Sequence, residues 1–210
     1  MIEKCLFPVA GYGTRFLPAT KSTPKEMLPI VNKPLLQYGV EEALDAGMHN
    51  CALVTGRGKR AIADHFDLNY ELEAEIAGSS KEKYLEGIRD VIDRGVFTMV
   101  RQRAMKGLGH AILTGEPLIG DKPFGVLLAD DLCVNPGGHG VLAQMSKLYE
   151  TYQCSIVAVM EVPVDQVSAY GVVAGEAIGE GQYRVSQMVE KPPVEEAPSN
   201  LAVIGRYILT

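Results

Sequence analysis

The sequence predicts an α/β fold built on a largely parallel, doubly wound sheet. Three observations carry that expectation. Short apolar runs recur along the chain, helix-period segments lie between them, and a glycine- and proline-rich basic loop follows the first run. Runs that are continuous rather than alternating belong to strands covered on both faces. Strands separated by helices are expected to join in parallel.

The first strand is expected at Cys5–Val9, and the loop "AGYGTRFLPATKSTPKEMLPIVNK" follows it. A helix over Pro34–Ala46 would set Leu35, Val40, Ala43 and Leu44 near one face, with Gly47 as its stop. The second strand is Cys51–Thr55. Charge and helix formers dominate Gly58–Arg94, which reads as a helical excursion between strands; Ser79 before Glu82 resembles a capping box opening a helix through Asp93. Strands follow at Val96–Arg101 and Gly125–Ala129, then a helix over Gly138–Tyr152 gathering Val141, Leu142, Met145, Leu148 and Tyr149. A strand at Ser155–Met160 comes next. Beyond it, "YGVVAGEAIGEGQYRVSQMVEKP" reads as strands around a glycine-rich turn, and "LAVIGRYIL" as one more strand. A sheet ending on so apolar a strand predicts that the natural protein continues past Thr210.

With 210 residues, the chain suits one large domain or a domain with an inserted lobe. Its net charge of −6 supplies no global positive field, which argues against nucleic acid and acidic membranes as partners. Any phosphate must be met by a local cluster. No long apolar stretch with a cleavage site is present, and no run approaches a membrane span, so a cytoplasmic protein is expected. Cys5, Cys51, Cys133 and Cys154 lack disulfide or metal spacing and are expected as buried free thiols. His49, His65, His110 and His139 show no ligand spacing.

The loop after the first strand is neither of the common phosphate-binding motifs. In Gly11-Tyr12-Gly13-Thr14-Arg15-Phe16 the third glycine of a dinucleotide fingerprint is replaced by Phe16, and no GKS or GKT follows. A backbone cradle remains, because glycines let successive N–H groups converge on an anion. Arg15, Lys21, Lys25 and Lys33 face a single acid, Glu26, and Pro18, Pro24 and Pro29 stiffen the segment.

"FPVAGYGTRFLPATKSTPKEMLPIVNKPLLQY" resembles the signature of the sugar-1-phosphate nucleotidylyltransferases. The resemblance continues through "VTGRGKRAIADHFD", "VRQRAMKGLGHAI", "LLADDL", "YGVV", "MVEKP" and "SNLAVIGRYIL", so it spans the chain. It implies a Rossmann-like three-layer architecture of the nucleotide-diphospho-sugar transferase type, with a mixed, mainly parallel sheet. The whole of 1–210 would be one nucleotidyltransferase domain, with a nucleotide-binding part to about 135 and a sugar-binding part from about 136. The closing segment of the family, with its subunit contacts, would be absent; the full-length protein is expected to be a homo-oligomer.

"FLPATK…PKEMLPI" further resembles the members that convert UTP and glucose 1-phosphate to UDP-glucose and pyrophosphate with Mg²⁺. The resemblance implies nucleotide contacts from Ala10, Gly11, Gly13, Thr14, Glu26, Gln102 and Gly107, with Arg15, Lys25 and Lys191 as the charge-neutralising groups. It implies sugar contacts from Gly171, Glu190, Lys191 and Val203, and Asp130 as the metal ligand. On the residues alone, Glu26 reads equally as a solvated carboxylate, Asp130 and Asp131 as a cap and its neighbour, and "EKP" as a polar strand end. A thymidylyl-transferring member is the nearest alternative, since Gln102 offers the same contacts to thymine as to uracil. A non-catalytic nucleotide-sugar-binding relative is the other.

Overall fold

The computed structural model describes residues 1–210, which divide into two compact units, Met1–Ile156 with Tyr207–Thr210 and Val157–Arg206.

The first unit opens with β1 (Lys4–Pro8), a two-strand ribbon of β2 (Pro29–Ile30) and β3 (Lys33–Pro34), and helix α1 (Leu35–Asp45). It continues through β4 (Asn50–Thr55), α2 (Arg60–His65), α3 (Tyr70–Ile76), α4 (Glu86–Arg94) and β5 (Val96–Arg101). α5 (Leu108–Thr114), α6 (Glu116–Ile119), β6 (Phe124–Leu127) and α7 (Val141–Tyr152) complete it. Its sheet runs β5-β4-β1-β6, with β1 parallel to both β4 and β6 and β4 parallel to β5.

β1, β4 and β6 are buried along most of their length, as their continuously apolar sequences require. β5 was expected to be covered on both faces and instead lies at the sheet edge with Val96 and Met99 exposed. Leu6, Ala52, Val54 and Val126 pack with Ala111 of α5 and Ile119 of α6 on one side. On the other, α1 comes so close that a Cβ at Gly39 would lie 2.6 Å from Leu127 Cδ2. Each fully buried Leu or Phe here, such as Leu6, Phe7 and Leu53, stabilises the fold by about 1.5–3 kcal/mol.

The second unit contains most of β7 (Ile156–Glu161), all of β8 (Gly171–Gly179) and β9 (Gln182–Glu190), and β10 (Leu201–Leu209) as far as Arg206. β8 pairs antiparallel with β9 and with β10, and β7 pairs with β10. Val162, Val167, Val172 and Ala202 form its small core. The fold is therefore α/β with a mixed, mainly parallel sheet.

Three local expectations change. The strand expected to reach Ala129 ends at Leu127, and a turn follows in which Asp131 N donates to Leu128 O at 3.3 Å. Ser79 makes no capping box: its hydroxyl accepts from Lys81 N, two residues on, and the α-helix starts at Glu86. None of the cysteines is in a disulfide, but only Cys5 and Cys51 are buried, whereas Cys154 is exposed.

Candidate active site

The strands of an α/β sheet end where ligands gather, and the conspicuous polar contacts of the first unit lie there. Ala10 is buried directly beyond β1, and Gly11 follows it into the open. Gly13 has φ +66°, and a Cβ there would sit 2.9 Å from Lys25 Cβ, so only glycine admits Lys25 at this distance. Gly13 O accepts from Thr20 Oγ1 at 2.7 Å and from Phe16 N at 3.0 Å, bracing the loop around Thr14 and Arg15.

Lys25 Nζ donates to Asp130 Oδ2 at 2.7 Å. Burial alone would raise the Asp130 carboxyl above the usual range. The Lys25 hydrogen bond and charge, with the Arg15 charge beyond them, outweigh it and hold the carboxyl low. An ionised carboxylate paired with Lys25 is thus prepared at this strand end. Asp131 is exposed on the turn. No group of three or more metal-ligating side chains exists, so a divalent cation here would depend on Asp130 together with water and substrate oxygens, a donor set that suits Mg²⁺.

Glu26 is only 1% exposed and pairs with Lys59, itself 7% exposed, at 2.7 Å. The pair engages Glu26 Oε2, and Oε1 is buried without a partner. Gln102, just past β5, is anchored by its backbone N–H to Thr55 O at 2.8 Å. Its side-chain nitrogen contacts Gly107 O at 3.4 Å and His110 Nδ1 at 2.8 Å. Ala10, Gly11, Gly13, Thr14, Arg15, Lys25, Glu26, Gln102, Gly107 and Asp130 therefore all belong to the first unit.

The residues expected at the sugar belong to the second unit. Gly171 and Glu190 are register partners in the β8–β9 ladder. A Cβ at Gly171 would stand 3.2 Å from Glu190 Oε2 and 3.8 Å from Val203 Cγ2, so the missing side chain keeps this surface open. Lys191 follows β9 with φ +47°, its N–H donating to Tyr170 O at 2.9 Å and its ammonium 3.7 Å from Glu190 Oε1. Both side chains are largely solvent-exposed.

Lys59 and His110 were not singled out by the sequence reading. The signal for Lys59 was present in "GRGK", a basic cluster directly after β4. His110 carried none, because its value lies in a contact eight residues away.

The family model for nucleotidyl transferases matches residues 8–210. A Pseudomonas aeruginosa protein named UTP–glucose-1-phosphate uridylyltransferase is 69% identical over the entire chain, which spans 75% of that relative's length. The solved structure of a UDP-glucose pyrophosphorylase complexed with UDP-glucose is 60% identical with a TM-score of 0.93, covering 100% of this chain and 76% of its own. A UTP-bound enzyme of the same kind from Acinetobacter baumannii is 42% identical with a TM-score of 0.92, covering 100% and 74%.

Proposed function

This chain belongs to the nucleotidyl transferase family, and from that premise we propose that it makes UDP-glucose and pyrophosphate from UTP and glucose 1-phosphate. The observation that carries the reading on this chain's own residues is the ionised Asp130 held beside Lys25 and Arg15, at the end of a strand and against a glycine loop. Such an arrangement suits a reaction in which charge on phosphates must be spread and held still.

A phosphate oxygen of glucose 1-phosphate forms a bond to the α-phosphorus of UTP as the bond from that phosphorus to the bridging oxygen of pyrophosphate breaks. The second ionisation of a phosphate monoester lies near pH 6, so the attacking oxygen is already deprotonated and needs no general base. Arg15 and Lys25 neutralise the triphosphate, and Lys191 neutralises the phosphate of the sugar. Glu26, Gln102 and Gly107 hold the nucleoside, with Ala10, Gly11, Gly13 and Thr14 lending backbone and hydroxyl. Gly171, Glu190 and Val203 receive glucose. When bound, a divalent cation, read here as Mg²⁺, lowers the repulsion between the two phosphates, and Asp130 is the residue to hold it.

In this proposal nucleotide binding belongs to the first unit and sugar binding to the second. A reducing cytoplasm suits the four unbridged thiols, and self-assembly is part of the same proposal. No helix is long and apolar enough to cross a membrane.

Pyrophosphate release tests the function. It should require UTP and glucose 1-phosphate together and fall steeply in Lys25→Ala. Release from UTP alone, at an undiminished rate, would overturn it.

A further inference from the structure

We infer that His110 is a positioning residue that decides which pyrimidine Gln102 can accept. The inference rests on the nucleotide-binding reading of Gln102 given above. A primary amide is ambiguous: half a turn about its last torsion exchanges an acceptor for a donor, and that torsion is soft. Two contacts remove the ambiguity here. Gly107 carbonyl can only accept, so the atom 3.4 Å from it is the amide nitrogen. That nitrogen also lies 2.8 Å from His110 Nδ1, which must then accept, leaving the imidazole proton on Nε2. The reverse orientation would set two oxygens against each other at Gly107.

His110 is itself fixed. It stands in the first turn of α5, its carbonyl accepting from Thr114 Oγ1 at 2.7 Å, while Ala111 N donates to Gly107 O at 3.2 Å. Gly107, with φ +89°, brings its carbonyl back toward Gln102 in a conformation that side-chain-bearing residues seldom adopt. Gln102 is only 5% exposed, so a rotated amide would lose these bonds with little water to replace them.

With its nitrogen held by the chain, Gln102 has its carbonyl oxygen left for the base. That oxygen accepts from N3–H of uracil or thymine. Cytosine presents a lone pair at N3, so oxygen would meet nitrogen with no proton between them. His110 therefore builds rejection of CTP into the site through a residue it orients. It does not separate UTP from dTTP, whose N3–H edges are the same.

The test compares kcat/KM for UTP and CTP, with glucose 1-phosphate as acceptor, in wild type, His110→Ala and His110→Asp. In His110→Ala the amide is free to turn, and the UTP-to-CTP ratio should fall by roughly tenfold or more. Aspartate can place an acceptor where Nδ1 stands, so His110→Asp should keep a ratio near that of wild type. If His110→Ala lowers both substrates equally with the ratio unchanged, or if His110→Asp behaves as His110→Ala does, the inference is overturned. Gln102→Ala isolates the underlying reading: a ratio unaltered in that variant would mean that Gln102 does not read the base at all.

Discussion

Lys59 donates to Glu26 Oε2 across 2.7 Å inside the first unit, and the other carboxylate oxygen is buried with no partner. Removing one member of such a pair leaves an uncompensated buried charge, at a cost of about 3–5 kcal/mol. Lys59→Met should lower the unfolding free energy by that order, and adding Glu26→Gln should recover most of it. Urea unfolding followed by circular dichroism measures both. A single variant as stable as wild type would show that the pair does not hold this part of the fold.

Asp130 and Asp131 should separate sharply. Both are exposed on the strand-end turn, but Asp130 is paired with Lys25 at 2.7 Å and its carboxyl is held low, chiefly by that lysine. Asp130→Asn should reduce turnover by roughly 10²–10³-fold, as removal of a preorganised electrostatic group does. Asp131→Asn should act mainly on the turn, by about 1 kcal/mol or less of stability. Rates across a Mg²⁺ titration distinguish the two, and the reverse order of damage would reassign the metal ligand.

Lys191 carries a backbone cost along with its charge. A non-glycine residue at φ +47° is strained by about 1 kcal/mol or more, which glycine does not bear. Lys191→Gly should therefore be at least as stable as Lys191→Ala, while both bind glucose 1-phosphate more weakly and UTP nearly as before. Calorimetric titration with each substrate checks the division, and an equal loss of both would refute it.

Burial lowers the pKa of His65 from its ordinary 6.5, and its Nε2 donates to Gln37 Oε1 at 3.0 Å. Gln37 in turn donates to Glu41, which pairs with Lys33. The folded chain thus prefers the neutral imidazole. This contribution is complete above the unfolded value near pH 6.5 and is lost as pH falls from there through the folded value, because the unfolded chain takes the proton first. His65→Gln should flatten that portion of the stability profile. Thermal melts of the two proteins with the same slope below pH 6.5 would contradict this.

Much of the fold was legible because burial on both faces writes itself into a strand. Leu6, Val54 and Val126 lie in runs whose apolar character needs no partner to be recognised. The end of β6 was not legible: nothing in "LLADD" shows that the chain turns after Leu128. Ser79 and Glu82 matched a capping pattern, yet the serine hydroxyl found a nearer N–H. In the site, residue types and order were readable, but pairings were not. Lys25 and Asp130 are 105 positions apart, and Glu26 and Lys59 are 33 apart. Such partners are chosen by topology, which local spacing does not encode.

In the proposed reaction the sugar phosphate attacks the α-phosphorus directly, with Arg15, Lys25 and Asp130 spreading charge and no side chain acting as nucleophile. UTP carrying a single sulfur configuration at its α-phosphorus, turned over with glucose 1-phosphate, tests this through the configuration of the thio-substituted UDP-glucose, read by phosphorus NMR. One in-line displacement inverts the centre, and inversion is the result expected. Net retention would require two displacements through a covalent uridylyl-enzyme and would rule out direct attack.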